Sequence, residues 1–269
     1  MPSSKADHPE MHLAASAIAA IINFPLWKAS AMGQSGFDRG MKGGILKRYI
    51  EAMKPPYKGM TATIVGMTWA RAFIFYGSDR GKRFLEDRGN KDMVSVLLPP
   101  LVCSTAVQLI NMPIIRASIT IQDPATKYIS TADALRGIYQ SKGLQGLWHG
   151  TSAGVMKTVP KYCVAVAVKN YMERTLRPAN PDDRMDSLIR SAKKSVMAGV
   201  AGAALTNPVD VVRNEMFKTD LGVHKAFLKL WREEGTSFAL RGINKNLVAV
   251  AIPIAVTIFC TDFLVQLKE

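Results

Sequence analysis

Apolar residues gather into six stretches, at about 9–32, 61–79, 92–121, 152–174, 188–217 and 246–267. Each predicts a helix long enough to cross a hydrocarbon core when tilted. Only the last, NLVAVAIPIAVTIFCTDFLVQL, is uniformly apolar. The other five set Ser, Thr, Asn, Lys and small residues among the apolar ones. Helices around a wet cavity look like this, because their inward faces stay polar; a soluble bundle shows the same pattern. Ala14, Ala15, Ala17, Ala19 and Ala20 in the first stretch, and Gly199, Gly202 and Ala203 in the fifth, favour close helix contact. For the alanines, helix propensity alone is a sufficient explanation.

Between the members of each helix pair lie basic, amphipathic segments at 42–54, 131–142 and 221–234, expected as short helices along a membrane surface. A glycine turn follows each: Tyr57-Lys58-Gly59, Trp148-His149-Gly150 and Leu240-Arg241-Gly242. Backbone N–H groups at such helix starts bind phosphate head groups, or simply form an ordinary turn. Near the end of each odd helix an Asn precedes a Pro by one or two positions: Asn23-Phe24-Pro25, Asn111-Met112-Pro113 and Asn207-Pro208. Proline removes a backbone donor, so a kink or break is expected there. The unit of helix, proline break, surface helix, glycine turn and helix thus occurs three times, and a repeat of this length sets the architecture.

Charge narrows the partners. The chain has 269 residues, with 35 Lys+Arg against 21 Asp+Glu and a formal charge of +14. That balance suits an anionic partner such as lipid or acidic solutes, or a solvated basic surface. No dense basic run is interleaved with aromatics, so nucleic acid is not expected. Three scattered cysteines, Cys103, Cys163 and Cys260, predict neither a disulfide framework nor a zinc site. The four histidines form no metal motif, and no nucleophile–base grouping or phosphate loop suggests an enzyme or a cofactor. The N-terminal MPSSKADHPE has neither an Arg-rich amphipathic segment nor an apolar signal core, so no cleavable targeting peptide is expected.

The threefold unit resembles the mitochondrial carrier family over essentially the whole chain. Pro208-Val209-Asp210-Val211-Val212-Arg213 matches that family's P-x-[DE]-x-x-[KR] motif in full. The resemblance implies an all-α membrane protein: six transmembrane helices in three pseudo-symmetric pairs, forming one domain over 1–269 with repeats at about 8–88, 89–181 and 182–269. It also implies a multi-pass protein of the mitochondrial inner membrane with tightly bound cardiolipin, placed here at the turns of Gly59, Gly150 and Gly242.

In such carriers the acid and base of each proline motif form a ring of salt bridges that closes the matrix side. Here the acid slots hold Trp27, Ile115 and Asp210, and the base slots Ser30, Ser118 and Arg213. Asp210 would face Ser30, and Arg213 would face Ile115, so no bridge of the usual kind forms. The bracing glutamines survive as Gln34 and Gln122, while the third such position is Phe217. Lys28 and Arg116, one residue past their acid slots, are expected to snorkel to the interface; a bridge from Lys28 to Asp210 is the alternative. On the cytoplasmic side the same rule pairs Asp262 with Lys82, sets Asp79 against Glu173, and leaves Asn170 with Val265.

Substrate contacts in the family lie seven residues after each turn glycine, at Gly66, Lys157 and Ala249, with Met67, Thr158 and Val250 beside them. Gly66 and Lys157 are similar to the tricarboxylate (citrate) carriers. Ala249 replaces the arginine of that subfamily, and Lys161, one turn on, adds a charge. Two functions follow. The eroded ring points first to an accessory subunit of a larger inner-membrane, respiratory-chain-type complex. The alternative is an active exchanger of di- and tricarboxylates.

Overall fold

The computed structural model describes residues 9–89, 93–180 and 183–268. Most of the stretch read for a targeting signal, and the repeat boundary at 181/182, lie outside the described residues. The elements are α1 (Pro9–Ser35), α2 (Ile45–Met53), α3 (Met60–Asp87), α4 (Met93–Thr120), α5 (Thr131–Trp148), α6 (Thr151–Met156), α7 (Thr158–Thr175), α8 (Arg184–Thr219), α9 (Val223–Glu234), a 3-10 turn (Gly235–Leu240) and α10 (Ile243–Lys268). Among the described residues no strand occurs. Going round, α1 packs on α3, α3 on α4, α4 on α6 and α7, α7 on α8, α8 on α10, and α10 on α1, which closes a ring of helices.

Four helices are long and apolar enough to cross a membrane: Leu13–Ser35, Met93–Thr120, Arg184–Thr219 and Ile243–Leu267. The expectation that each of the six stretches meets that standard fails for two. The apolar start of α3 gives way to Asp79, Arg80, Lys82 and Arg83. The stretch 152–174 is interrupted at Lys157, between α6 and α7. Pro160 explains the interruption, since it has no N–H to donate to the carbonyl of Met156.

The prolines of the odd helices do not end them. Pro25, Pro113 and Pro208 sit inside α1, α4 and α8, each with at least a further turn and a half of helix beyond. One compensation is visible. Pro113 frees the carbonyl of Leu109, and the indole Nε1 of Trp148 donates to it at 2.8 Å. A carbonyl freed by proline needs such a partner where water is absent. Trp148 therefore does more than mark a turn.

The three short amphipathic helices each set an apolar face against the preceding long helix. Ala52 joins Ala29 and Met32; Ala134 and Ile138 join Ala117 and Ile121; Ala226 and Leu230 join Val211, Val212 and Met216. α5 bends at Gly143, whose φ of 64° suits glycine. Ser130 and Asp183 cap α5 and α8 by accepting from main-chain N–H groups of the first turn.

Lys28 and Arg116 do not snorkel. Lys28 is 2% exposed, and its Nζ donates to the carbonyls of Lys54 and Pro55 at 2.6 and 2.8 Å, just past α2. This also excludes the alternative bridge to Asp210 in this structure. Arg116, 1% exposed, donates to the carbonyl of Gly146 and to Asp220 at the end of α8. Both cations turn inward because unpaired carbonyls at helix ends and the bend in α5 offer partners that lipid cannot. Lys28→Met should remove two charge-assisted hydrogen bonds and cost about 2–4 kcal/mol, read as a lower unfolding midpoint in detergent.

Candidate functional site: a cationic cavity inside the helix ring

A cavity of about 350 Å³ lies within the ring, lined by residues of α1, α3, α4, α7, α8 and α10 and by Lys157. Its charged lining residues are Arg71, Lys157, Lys161 and Arg213 against a single carboxylate, Asp210. Such groups are expensive in a membrane interior and mark a solute pathway by default.

The floor carries five of the six positions that the resemblance assigns to the gate: Trp27, Ser30, Ile115, Asp210 and Arg213. Here the expected picture of stranded charges is corrected. Asp210 accepts from Lys157 Nζ at 2.6 Å and pairs with Arg213 on its own helix at 2.9 Å. Lys157 was read as a substrate contact; in this structure it supplies the gate acid's missing partner. Lys157 joins α6 to α7 in helical conformation (φ −75°, ψ −18°) and lines the cavity beside the first half of the proline motif.

The serine slots are also occupied by direct contacts. Ser118 and Thr63 hydroxyls lie 2.6 Å apart, and Ser30 Oγ donates to Asn246 Oδ1 at 3.3 Å. Thr63 and Asn246 each stand four residues after their turn glycine, so neutral hydrogen bonds take the place of salt bridges between neighbouring repeats. Gln34 and Asn246 both donate to Asn207 Oδ1, at 3.0 and 3.1 Å, and Asn207 Nδ2 donates to the carbonyls of Ala239 and Arg241. Gln34 lines the cavity within this network. Gln122 lies behind the floor and donates to Lys58 and Ser118 carbonyls. Phe217, the third brace position, places its ring 5.9 Å from the Arg116 guanidinium and 6.0 Å from that of Arg213, a cation–π contact on each.

The remaining predicted residues divide. Gly66, Lys161 and Ala249 line the cavity, with Met67 and Val250. Thr158 does not: it is buried, and its hydroxyl donates to Gly154 O within the helix, which absorbs the polarity a ligand would use. At the other end the expected pair of Asp262 with Lys82 is absent. Asp262 accepts from Arg184 at 2.9 Å, Lys82 pairs with Glu86, and Asp79 pairs with Arg83. The expected repulsion of Asp79 and Glu173 is relieved as well, since Arg190 and Lys194 hold Glu173 at 2.7 and 2.5 Å. Lys82–Glu86 and Asp79–Arg83 lie within α3, Glu173 ties α7 to α8, and Arg184–Asp262 ties α8 to α10, so each bond stays within one helix or joins neighbours in the ring and none crosses it.

The three turn glycines have left-handed φ values of 77°, 93° and 68° at Gly59, Gly150 and Gly242. Each faces the end of the next odd helix round the ring: Ile121, Phe217, and the Gly33–Gln34 backbone.

Sequence reasoning passed over four features: Arg71, the Asn111 amide, Glu215 and Asp220. Asn111 donates to Gly66 O at 2.9 Å and accepts from Trp69 Nε1 at 3.0 Å, fixing α3 against α4. Glu215, 2% exposed, gathers Lys218, Lys229 and Arg241 beneath the floor. Burial pushes the Asp220 carboxyl up, but hydrogen bonds from Lys142 and Arg116 outweigh it and hold the group below its ordinary range. For Arg71, a lone cation inside an apolar stretch was the available signal.

Comparison with known proteins gives the family. The family model "Mitochondrial carrier protein" matches residues 91–180 and 185–268. Solute carrier family 25 member 36-A of Danio rerio is 25% identical over 234 residues, covering 80% of this chain and 74% of that protein. The human mitochondrial carnitine/acylcarnitine carrier protein is 25% identical over 207 residues, covering 71% and 67%. Mitoferrin of Dictyostelium discoideum is 23% identical over 214 residues, covering 71% and 70%. These relatives are carrier proteins, and they lend no support to an accessory subunit. With a cationic cavity enclosed by its helix ring, the chain belongs to the mitochondrial carrier family.

Proposed function

We propose that the protein exchanges small di- or tricarboxylates across the mitochondrial inner membrane, with six helices spanning it as three related pairs. The observation that carries this reading is the charge of the cavity, four cations against one carboxylate. An anion is the ligand that such a site compensates, and charge-assisted hydrogen bonds to carboxylates are strong. The cavity's size, near the lower end of the roughly 300–1,000 Å³ typical of ligand pockets, favours a small solute. The paired state of Asp210 also removes the main argument for a dead gate. A floor held by one ion pair and a set of neutral hydrogen bonds is weaker than three bridges, and so is easier to open. Cardiolipin at the glycine turns belongs to the same proposal.

The test is uptake by purified protein in cardiolipin-containing liposomes loaded with malate. Saturable uptake of labelled malate, citrate or 2-oxoglutarate, dependent on internal anion, is the expected result. No uptake of any carboxylate, together with purification in a stable large assembly, would return the accessory-subunit reading.

A further inference from the structure

We infer that Arg71 and Lys161, rather than Lys157, hold the transported anion in this state, and that the ligand they select is a dicarboxylate. The inference rests on the carrier reading above and specifies its site. Lys157 is already engaged by Asp210 at 2.6 Å, so an anion gains its charge only by displacing a carboxylate. Lys161 is different. It lines the cavity and is exposed there, and among the described residues its ammonium has no hydrogen-bond or ion-pair partner. Arg71 meets only the Ser16 carbonyl, at a long 3.4 Å, which leaves most of its donors unused. A guanidinium has five such donors in a planar fork suited to a carboxylate.

The two cations come from different walls, α3 and α7, of the same cavity. They stand twelve and eleven residues after Gly59 and Gly150, about one helical turn beyond the Gly66 and Lys157 positions and away from the floor. The corresponding positions on α10, Pro253 and Ile254, carry no charge and lie outside the cavity lining, to which α10 contributes Asn246, Ala249 and Val250. The site therefore has two cationic walls and one uncharged wall. Two free cations match two carboxylates joined by a short carbon chain. A third carboxylate would face the uncharged α10 wall uncompensated, which is costly. This also answers what replaces the charge missing at Ala249: it comes from Arg71, on a different wall and one turn higher.

The experiment measures malate and citrate exchange in liposomes, and stabilisation by the same anions in detergent, for the intact protein and for Arg71→Gln, Lys161→Gln, Arg71→Lys and Lys161→Arg. Either glutamine variant should raise the half-saturating malate concentration at least about tenfold, the worth of one charge-assisted hydrogen bond. The charge-conserving variants should recover most of that loss, and malate should be preferred to citrate. The unfolding midpoint without ligand should not fall in the glutamine variants, because they relieve like-charge repulsion; this separates lost binding from lost folding. If the intact protein exchanges malate and both glutamine variants keep its half-saturation, the inference is overturned and the carrier reading stands. If malate stabilises the intact protein and not the variants while no exchange occurs, the site stands and the carrier reading falls. Neither exchange nor stabilisation by any carboxylate overturns both.

Discussion

Asp210→Asn should unfold about 6–20 °C below the parent protein in detergent and lose at least about tenfold in exchange rate. The side chain is the only carboxylate among the charged residues that line the cavity, and it pairs with Lys157 at 2.6 Å and Arg213 at 2.9 Å. Removing one partner of a buried pair costs about 3–5 kcal/mol, because the other charge stays buried without compensation. In a protein of this size each kcal/mol lowers the midpoint by about 2–4 °C. Asparagine keeps the shape and one acceptor, so the loss isolates charge. Four cations would then face one another with nothing between them. Lys157→Gln is milder, since Asp210 keeps Arg213. The double variant should cost less than the sum of the singles, because the second change removes a charge that the first has stranded. A normal midpoint for Asp210→Asn would mean that the ion pair contributes nothing to closing the floor.

Exchange should fall with stability because the bridge joins α8 to the junction of α6 and α7, across neighbouring walls of the cavity. Alternating access requires two closed states of similar free energy, so deleting one contact of several kcal/mol shifts the populations strongly. The neutral contacts at Ser30 and Ser118 remain, and each is worth about 1 kcal/mol. They do not make up the difference.

Much of the fold was legible because apolar runs of this length have few alternatives, and because glycine and proline punctuate them at a long period. The turns at Gly59, Gly150 and Gly242 were legible from the recurring glycine pattern, and glycine suits the left-handed φ they adopt. The interruption of hydrogen bonding between α6 and α7 was legible too, from Pro160, but apolar continuity across 152–174 concealed it. What the sequence did not show is who pairs with whom across the ring. A register rule pairs acid slots with base slots, and by that rule Asp210 has no partner. Its partner stands 53 positions earlier, at a place the same rule assigns to substrate. Likewise Lys28 and Arg116 look like interface lysine and arginine until the carbonyls past α2 and in α5 are placed beside them. Distances between distant segments decide such cases, and residue spacing along one helix carries no information about them.

Alanine at the three turn glycines should destabilise in the order Gly242, Gly150, Gly59, with Gly242→Ala costing at least about 3 kcal/mol. All three share the cost of a left-handed φ, about 1–2 kcal/mol for a residue with a Cβ. They differ in what the new methyl meets. At Gly59 it falls 2.0 Å from Ile121 Cδ1, the free end of a side chain that turns about its own bonds. At Gly150 it meets the Phe217 ring at 2.4 Å, and that ring is held by cation–π contacts with Arg116 and Arg213. At Gly242 it meets Gln34 N and Gly33 C, both at 2.5 Å, which are main-chain atoms of a helix and yield only if α1 moves. Moving α1 there also strains the Arg241 Nε bond to Gln34 O at 2.8 Å and the amide network through Asn207. The first and last long helices of the chain meet at this point, so the ring has no chain connection to hold it shut except this packing. Unfolding midpoints of the three variants give the order directly. Equal midpoints, or Gly59→Ala as the worst, would show that the main-chain approach of α1 to the last turn does not close the ring.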